Sequence, residues 1–537
     1  MSKNETFESE LTERERILLE QERVLNAELD VKLEANHDKF PKAIYFIVPN
    51  ELCERFCYYG IKNLLNKYLQ TAYGYPEYYA KAQVSLFNAL VYLFPFVGAA
   101  ISDSFLGKYH TIVYMSFIYL IGNALLATFS INGLVGEFGS YPFWSYIVPS
   151  LLIAIGAGGI KPCVSSHGGD QFLPTQAPLL DKFFSLFYVC INVGALVSQY
   201  LTPYLKDYTY CFGSSCYFLA LGIPTIAFAV ALALFIFGFR YYRVVPPTGR
   251  FMPWVALKTA IVAGYRNFKA SKEEKAAKKH WLEFADDLYG KGMVEETRLF
   301  IKVMIMLLPL SFFWLLYDQN NTEWQNNYDM MNQKFLWFIP LPTEASSNVN
   351  SILIIIFVPL MSYFFYPFLE KRGIKMPLLT RMVWGWLIMI LTFILSTSLQ
   401  YYVEANSGSQ IKEGTKIISC NQCINGTIQL PQYILLSLGE AMVSPVGLQF
   451  AYTQVGKQMK SSSSSIFLIT SAIGNYCVLG LEIGLKNIAS TTKMWIYVAI
   501  STFFYVIFVI MAKYWYVSKE EEEATFEVEK ELEVIKQ

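Results

Sequence analysis

The stretch that decides how this chain folds reads Glu-Leu-Cys-Glu-Arg-Phe-Cys-Tyr-Tyr-Gly over residues 51–60. It carries three charged side chains, yet it lies inside an apolar segment that runs from about 44 to 69. An apolar segment of roughly 20 residues is long enough to cross a bilayer as a helix. A charge near the centre of such a helix costs roughly 2.5–3.5 kcal/mol on insertion scales. Charges retained at that cost indicate a functional site inside the membrane.

Further apolar segments follow this first one, five before a polar gap and six after it. They fall at about 85–102, 111–130, 145–166, 184–205, 217–239, 299–319, 350–368, 378–401, 432–453, 464–485 and 493–515. The pattern predicts an all-α membrane protein with twelve transmembrane helices in two six-helix bundles. The predicted domains are a charged N-terminal tail (1–43), two bundles (44–239 and 299–515), a basic linker (240–298) and an acidic C-terminal tail (516–537).

The orientation follows from the basic residues. The linker holds twelve Lys or Arg residues, and no cleavable signal peptide is recognisable before residue 44. Both tails and the linker are therefore expected in the cytosol, as the positive-inside rule requires. On the outer side, Asn320 and Asn425 each begin an N-x-S/T triplet and are candidates for glycosylation. Two outer cysteine pairs, Cys211 with Cys216 and Cys420 with Cys423, are candidates for disulfides.

The composition excludes several classes of protein. Hydrophobic residues make up 54% of the chain and charged residues only 16%, against about 25% in soluble domains. The 43 basic and 43 acidic residues cancel, which argues against binding to nucleic acid. The chain has no G-x-x-x-x-G-K-[ST] loop, so it is not expected to use ATP. Its four histidines are dispersed, and we expect neither a metal site nor another cofactor.

The charged side chains of the first span share one helical face. Glu51, Glu54, Arg55, Tyr58 and Tyr59 stand at offsets 0, 3, 4, 7 and 8. We expect this stripe to face a wet cavity. The alternative is a self-neutralising Glu–Arg pair that only fastens two helices, but it leaves the second acid unexplained.

Two more charges lie deep in other spans. Lys161 follows Gly158 and Gly159, which allow close helix packing, and it is either a partner for the acids of the first span or a ligand for an anion. Glu440 has no basic residue in its own span, so it either stays protonated or meets a cation from solution. Trp314 and Asn350 lie near span ends, where aromatic residues also occur as simple interface anchors.

These charges together suggest a ligand with two opposite charges. Arg55 and Lys161 in the first half supply cations, and Glu440 in the second half supplies an anion. A zwitterion with separated carboxylate and ammonium groups matches that pattern. Glu51 and Glu54 remain as acids that can take up and release protons, which ion coupling requires.

At these residues the chain resembles the proton-dependent oligopeptide transporters of the major facilitator superfamily. Residues 51–60 match the family's E-x-x-E-R-F-x-Y-Y-G signature, and residues 158–172 match a second one. Residues 187–194 match its F-Y-x-x-I-N-x-G motif, with Ala195 where Ser is usual. Gly98, Asp103 and Gly107-Lys108 resemble the superfamily's loop motif between the second and third helices. The chain resembles the eukaryotic peptide carriers more than the bacterial ones.

The resemblance implies a non-enzymatic symporter that imports di- and tripeptides with protons by alternating access. It implies proton coupling by Glu51, Glu54, Arg55 and Lys161, with protons as the only coupling ion. It also implies a substrate site formed by Arg55, Tyr58, Tyr59, Tyr92, Lys161, Asn192, Trp314, Asn350 and Glu440. The expected partners are small peptides, protons and the lipid bilayer, without an obligate protein partner. The plasma membrane is the expected location, with an endosomal or vacuolar membrane as the alternative.

The chain departs from the animal carriers at several positions. Ser85 replaces a histidine that is important for protonation there, and Lys302 and Ser362 replace an arginine and an aspartate that pair between helices. The outer stretch 402–431 is too short for the large extracellular domain of those carriers. Three other functions stay open: transport of nitrate, transport of a single amino acid such as histidine, and peptide sensing by a receptor that does not transport.

Overall fold

The computed structural model describes residues 24, 26–35, 38–278, 280–321, 323–332, 334–335, 339–340, 346, 348–406, 410–413, 416–420, 424–485 and 488–517. Within these ranges, ten apolar helical stretches are long enough to cross a membrane. One of them, Leu86–Phe129, runs through two consecutive helices. The charged helix Ile44–Tyr73 is a further long helix. This architecture is consistent with the twelve predicted spans.

We number the long helices of the described residues α1 to α12. In the first half they are α1 (Ile44–Tyr73), α2 (Glu77–Ile101), α3 (Gly107–Phe129), α4 (Trp144–Gly169), α5 (Ala177–Tyr208) and α6 (Tyr217–Phe237). In the second half they are α7 (Lys291–Leu307), α8 (Asn348–Pro359), α9 (Leu378–Asn406), α10 (Leu430–Thr453), α11 (Lys460–Gly484) and α12 (Ser490–Ile510). Helix α7 continues through Leu308–Leu310 into Ser311–Tyr317, and α8 continues through Leu360–Phe365 into Tyr366–Lys371.

Other elements connect these helices. The helical ones are 26–34, Ser102–Leu106, Pro174–Gln176, Gly238–Tyr241, Met252–Lys269, Lys272–Ala276, Trp281–Ala285, Asp286–Tyr289, Asp318–Asn321, Glu323–Asp329, Gly426–Gln429 and Met511–Trp515. Three antiparallel strand pairs are β1 (Tyr210–Cys211) with β2 (Ser214–Ser215), β3 (Lys334–Phe335) with β4 (Ile339–Pro340), and β5 (Gln410–Glu413) with β6 (Lys416–Cys420).

The chain forms two compact units. The first comprises 1–303 together with 451–468, and the second comprises 304–450 together with 469–537. The segment 451–468, which lies within the predicted second bundle, thus groups with the first unit in the structure. Its residues make hydrogen bonds with α4 and with the residues that directly follow α2 and α4, although these are far away in the sequence.

Glycines bring the helices of the first unit close together. Helix α1 packs on α5 and α6, and α4 packs on α2 and α3. A Cβ atom on Gly98 of α2 would lie 2.4 Å from the Cα of Gly159 in α4, so only glycine permits that crossing. Gly194 of α5 similarly lies against the carbonyl of Leu52. The close packing predicted for the glycines around Lys161 is confirmed.

In the second unit, α9 and the Ser311–Tyr317 continuation of α7 pack on α12. A glycine pair again sets the closest approach of α9 and α10. A Cβ atom on Gly385 would lie 2.8 Å from the carbonyl oxygen of Gly439, and one on Gly439 would lie 2.9 Å from that of Gly385. Glu440 directly follows Gly439, so the buried carboxylate lies next to the point where α9 and α10 cross.

The predicted basic linker folds into helices that belong to the first unit. Helix Met252–Lys269 buries one face, with Ala263 packed against Leu282 and Ala285. Its other face leaves large apolar side chains exposed, namely Trp254, Leu257, Ile261, Tyr265 and Phe268. An exposed row of large apolar side chains along a helix is typical of contact with a membrane surface.

Two outer features were predicted as disulfides. Cys211 and Cys216 form a disulfide, which closes the β1–β2 hairpin. For the other pair, Cys423 and the side chain of Cys420 lie outside the described residues.

Candidate functional site in two buried polar clusters

The first cluster is the charged stripe of α1. Arg55 Nε lies 2.7 Å from Glu51 Oε1 and 3.1 Å from Glu54 Oε2. Both carboxylates are fully buried, and Arg55 is 7% exposed. One guanidinium therefore serves two acids, so the second acid is not left without a countercharge. Charge balance still leaves one negative charge over, unless a proton or another cation neutralises it.

This cluster leaves polar atoms without hydrogen bonds. Glu51 Oε2, both carboxylate oxygens of Glu54 and the Tyr58 hydroxyl have no hydrogen-bond partner within the described part of the chain. The contact between Arg55 and Glu54 is thus an ion pair without hydrogen-bond alignment. Buried polar atoms are normally satisfied, and groups that are not satisfied are candidates for ligand or proton binding.

Lys161 of α4 completes the cluster without pairing with an acid. Its Nζ lies 4.2 Å from the centre of the Tyr58 ring and 5.1 Å from that of Tyr92. Among the described residues no carboxylate lies within ion-pair distance of this ammonium, so the predicted pairing with Glu51 or Glu54 is not seen. The two rings hold the charge by cation–π attraction instead, because the α1 acids already face Arg55.

The remaining predicted residues of the first unit lie beside this cluster in different ways. Tyr59 packs edge-on against Tyr58, with ring centres 5.3 Å apart. Asn192 of α5 is 8% exposed, and its amide donates to the carbonyl of Tyr188 one turn earlier.

The second cluster lies in the second unit around Glu440. Asn350 Nδ2 donates to Glu440 Oε2 at 2.8 Å and to the Tyr317 hydroxyl at 3.0 Å. Ser437 Oγ donates to Asn350 Oδ1 at 2.6 Å. Glu440 is 2% exposed and Asn350 4% exposed. Three helical segments therefore meet at this cluster. One ends in Tyr317, one begins near Asn350 and one carries Glu440.

Trp314 supports this second cluster. Its indole N–H donates to Thr470 Oγ1 at 3.2 Å, and its ring lies edge-on to Tyr317 at 5.4 Å between centres. The Trp314 side chain is 8% exposed. A buried tryptophan whose N–H is bonded within the protein is more than an interface anchor, which was the alternative prediction for this residue.

Sequence reasoning missed Ser437, Tyr317 and Thr470. A weak signal existed for Ser437, because it stands three residues before Glu440 and so shares its helical face. Thr470 had no such signal, since its bond with Trp314 spans 156 residues. In the described residues no group of three His, Cys, Asp or Glu residues is close enough to bind a metal ion.

The two glycosylation candidates differ in their surroundings. Asn320 is 2% exposed, and its amide nitrogen donates to the carbonyl of Tyr317. Asn425 is half-buried, and its amide oxygen accepts from the backbone N–H of Thr427. Because a glycan is attached to the amide nitrogen, Asn425 is the better suited of the two. Both remain predictions.

Comparison with known proteins agrees with the motifs. The sequence profile of the POT family matches residues 109–494. "Peptide transporter family 1" of Drosophila melanogaster is 39% identical over 373 residues, which cover 68% of this chain and 48% of that protein. "Solute carrier family 15 member 1" of Mus musculus is 37% identical over 68% of this chain and 52% of its own length. The chain thus spans about half the length of the curated relatives it matches.

Solved structures show the same architecture. A crystal structure described as an auto-inhibited POT family peptide transporter is 25% identical, with a TM-score of 0.62 over 89% of this chain and 98% of the other. A POT family transporter crystallised in meso is 26% identical, with a TM-score of 0.62 over 88% of this chain and 98% of the other. The all-helical transporter fold predicted from the sequence is therefore confirmed.

Proposed function

Because the chain belongs to the POT family, we propose that it is a proton-coupled symporter that imports di- and tripeptides by alternating access. It is a multi-pass membrane protein and not an enzyme. The observation that carries the proposal is that the second unit buries the Glu440 carboxylate with its Asn350 partner, while the first unit buries cationic side chains. A peptide is a zwitterion, so it needs one recognition group of each sign.

The second cluster supports recognition of the peptide ammonium. The Glu440 carboxylate is buried and accepts a hydrogen bond from the neutral Asn350 amide. The ammonium group of a peptide would be attracted to this carboxylate, and the low dielectric of a buried site strengthens that attraction. Trp314, Tyr317 and Asn350 would shape the surroundings of that ammonium.

The first cluster supports recognition of the carboxylate end and proton coupling. The Lys161 ammonium lies over two aromatic rings and makes no ion pair with a carboxylate among the described residues, so its charge is available to an anion. Arg55 holds Glu51 by a hydrogen bond and Glu54 by a looser contact. We assign Glu54 as the main proton carrier, because neither of its oxygens has a hydrogen bond that protonation would break. Tyr58, Tyr59, Tyr92 and Asn192 would line this part of the site.

Three other functions are less well supported. A nitrate carrier would use Arg55 and Lys161 but would have no use for a buried Glu440 and its hydrogen-bonded partners. A single amino acid such as histidine keeps both charges and remains the closest alternative. A receptor that senses peptide without transporting it would leave the unbonded oxygens of Glu54 without a role. No cofactor and no obligate protein partner is proposed, and the plasma membrane is the proposed location.

The decisive experiment is uptake of a labelled dipeptide into proteoliposomes with and without an inward proton gradient. We expect accumulation above equilibrium only with the gradient, and competition by unlabelled di- and tripeptides. Uptake of histidine or nitrate with no effect of dipeptides would replace the proposal by one of its alternatives. Saturable peptide binding without any uptake would indicate a receptor.

Variants at Glu440 and Glu54 test ammonium recognition and proton coupling separately. Glu440→Gln should weaken uptake of ordinary dipeptides more than uptake of analogues that lack the free amine, and equal losses would remove the ammonium role. Glu54→Gln should abolish accumulation driven by protons and retain exchange of internal for external peptide. Full accumulation by this variant would exclude Glu54 from coupling. Glu370→Gln and Glu137→Gln, the same change at exposed positions of the two units, are the matched controls.

A further inference from the structure

The amide of Asn350 is held from both ends. Its nitrogen donates to Glu440 and to the Tyr317 hydroxyl, and its oxygen accepts from the Ser437 hydroxyl at 2.6 Å. Ser437 is fully buried. The bond from Ser437 is the shortest of the three contacts.

The chemistry of the partners fixes the orientation of this amide. If the amide were reversed, its oxygen would lie against Glu440 Oε2 at the distance now taken by a hydrogen bond, and two acceptors would face each other. Its nitrogen would then meet the Ser437 oxygen. A charged Glu440 and a donating Ser437 hydroxyl therefore favour the same orientation from opposite ends.

We propose that Ser437 is a positioning residue for substrate recognition, acting through Asn350 on the Glu440 carboxylate. This inference rests on the proposed role of Glu440 in binding the peptide ammonium. The Ser437 hydroxyl fixes the amide plane of Asn350, and the amide fixes the carboxylate oxygen to which it donates. The Glu440 carboxylate group thereby keeps one orientation when the peptide ammonium arrives.

The position of Ser437 on its helix explains why it can do this. It stands three residues before Glu440 on α10, and so both side chains leave the same helical face and reach the same residue of α8. A serine in a helix interior often donates only to a carbonyl in the preceding turn, and that of Tyr433 lies 2.8 Å from Ser437 Oγ. If the hydroxyl served only that carbonyl, its loss would not change how the protein distinguishes substrates.

The test compares uptake kinetics of Ser437→Ala for two substrates, a dipeptide and an analogue without the free amine. Loss of one neutral hydrogen bond corresponds to about a threefold to tenfold change in binding. We expect KM for the dipeptide to rise by about that factor with kcat within about twofold, and KM for the analogue to stay within about twofold. Ser437→Thr keeps the hydroxyl and should restore the parent KM.

Ser398→Ala is the matched control, because the hydroxyl of Ser398, an exposed serine on α9, donates to the carbonyl of Ile394 in the preceding turn. It should leave both KM values unchanged. Equal KM changes for both substrates in Ser437→Ala, or failure of Ser437→Thr to restore KM, would overturn the proposal. Either result would reduce Ser437 to a structural residue.

A double-mutant cycle tests the path through the carboxylate. In a Glu440→Gln background there is no carboxylate to position, so Ser437→Ala should have no further effect on dipeptide uptake. If the two effects simply multiply, Ser437 does not act through Glu440. The single and double variants require only measurable residual uptake, which the exchange assay provides.

A structure of the Ser437→Ala protein tests the geometry without substrate. We expect the Asn350 amide to rotate and its contact with Glu440 to lengthen beyond hydrogen-bonding distance. An unchanged contact would overturn the positioning role even if the protein proved to carry another substrate. Absence of dipeptide uptake by the unsubstituted protein would instead remove the proposed function, so the two failures are distinguishable.

Discussion

Asp103 accepts two hydrogen bonds of 2.8 Å from Ser462, one from its backbone N–H and one from its hydroxyl, although 359 residues separate the two. Ser462 lies in the first turn of α11, where backbone N–H groups have no partner within the helix. A carboxylate at that position satisfies them and interacts favourably with the helix dipole. This contact attaches 451–468 to the first unit, together with hydrogen bonds from Tyr452 and Lys460 to Asp170.

Removal of the Asp103 carboxylate should loosen the start of α11. Hydrogen bonds to a charged group contribute about 1.5–3 kcal/mol each, so we expect amide hydrogen exchange over 461–465 to accelerate by about tenfold or more in Asp103→Ala. Asp103→Asn keeps one acceptor and should show a smaller effect. Asp38→Asn, an exposed change in the same unit, is the control. Unchanged exchange in Asp103→Ala would show that the contact does not hold this segment.

The helix over 26–34 should detach when Asn26 is replaced. The Asn26 side chain exchanges two hydrogen bonds with the backbone of Val244, at 2.7 and 3.0 Å, and Asp30 pairs with Arg243 at 2.9 Å. Because both polar atoms of one amide are used, Asn26→Ala should increase proteolysis within 26–34 severalfold. Glu28→Gln is a control in the same helix, since its exposed pair with Lys32 is expected to contribute about 0–1 kcal/mol. Equal proteolysis of both variants would contradict this prediction.

Arg55→Gln should destabilise the protein by about 3–5 kcal/mol, because it leaves two buried carboxylates without their shared countercharge. Thermal unfolding of the purified protein in detergent measures the effect as a lower midpoint. The double variant Glu51→Gln with Arg55→Gln removes one of the stranded charges and should recover part of the loss. If the double variant is no more stable than Arg55→Gln, the ion pair is not the source of the instability.

The exposed apolar face of helix Met252–Lys269 should lie against lipid. A spin label at Ile261→Cys is expected to collide more often with oxygen, which partitions into the bilayer, than with a water-soluble nickel complex. A label at Lys275→Cys, in the next short helix, should show the reverse preference. Equal accessibility of both labels to the nickel complex would place this face in water. The unsubstituted protein, labelled in parallel, accounts for signal from native cysteines.

Much of the fold and part of the site could be read from the sequence. The charges at Glu51, Glu54 and Arg55 identified one face of one helix, because a helix repeats every 3.6 residues and the three share that period. The glycines near Lys161 predicted a close crossing for the same kind of local reason. For Lys161 the sequence left two partners open, the acids of the first span or an anion, and it did not predict the two tyrosine rings over which the ammonium lies.

The second cluster was predicted only as separate residues. Glu440 stood out because it is a charge in an apolar span, and Asn350 because of the family resemblance. The hydrogen bonds of Asn350 with Glu440 and Ser437 depend on side-chain geometry between two helices. The bonded residues are 90 and 87 positions apart in the chain. Hydrogen bonds need distances correct to a few tenths of an ångström, and helix periodicity does not supply that precision.

The sequence by itself predicted the number and character of the helices and the side of the membrane for their loops, and it identified the residues that are costly to bury. It could do so because a bilayer demands about 20 apolar residues per crossing and penalises every charge within them. Only the tertiary structure decided which buried groups pair, why 451–468 packs with the first unit and how Glu440 is held. Those outcomes depend on contacts between distant segments, which form only when the helices pack.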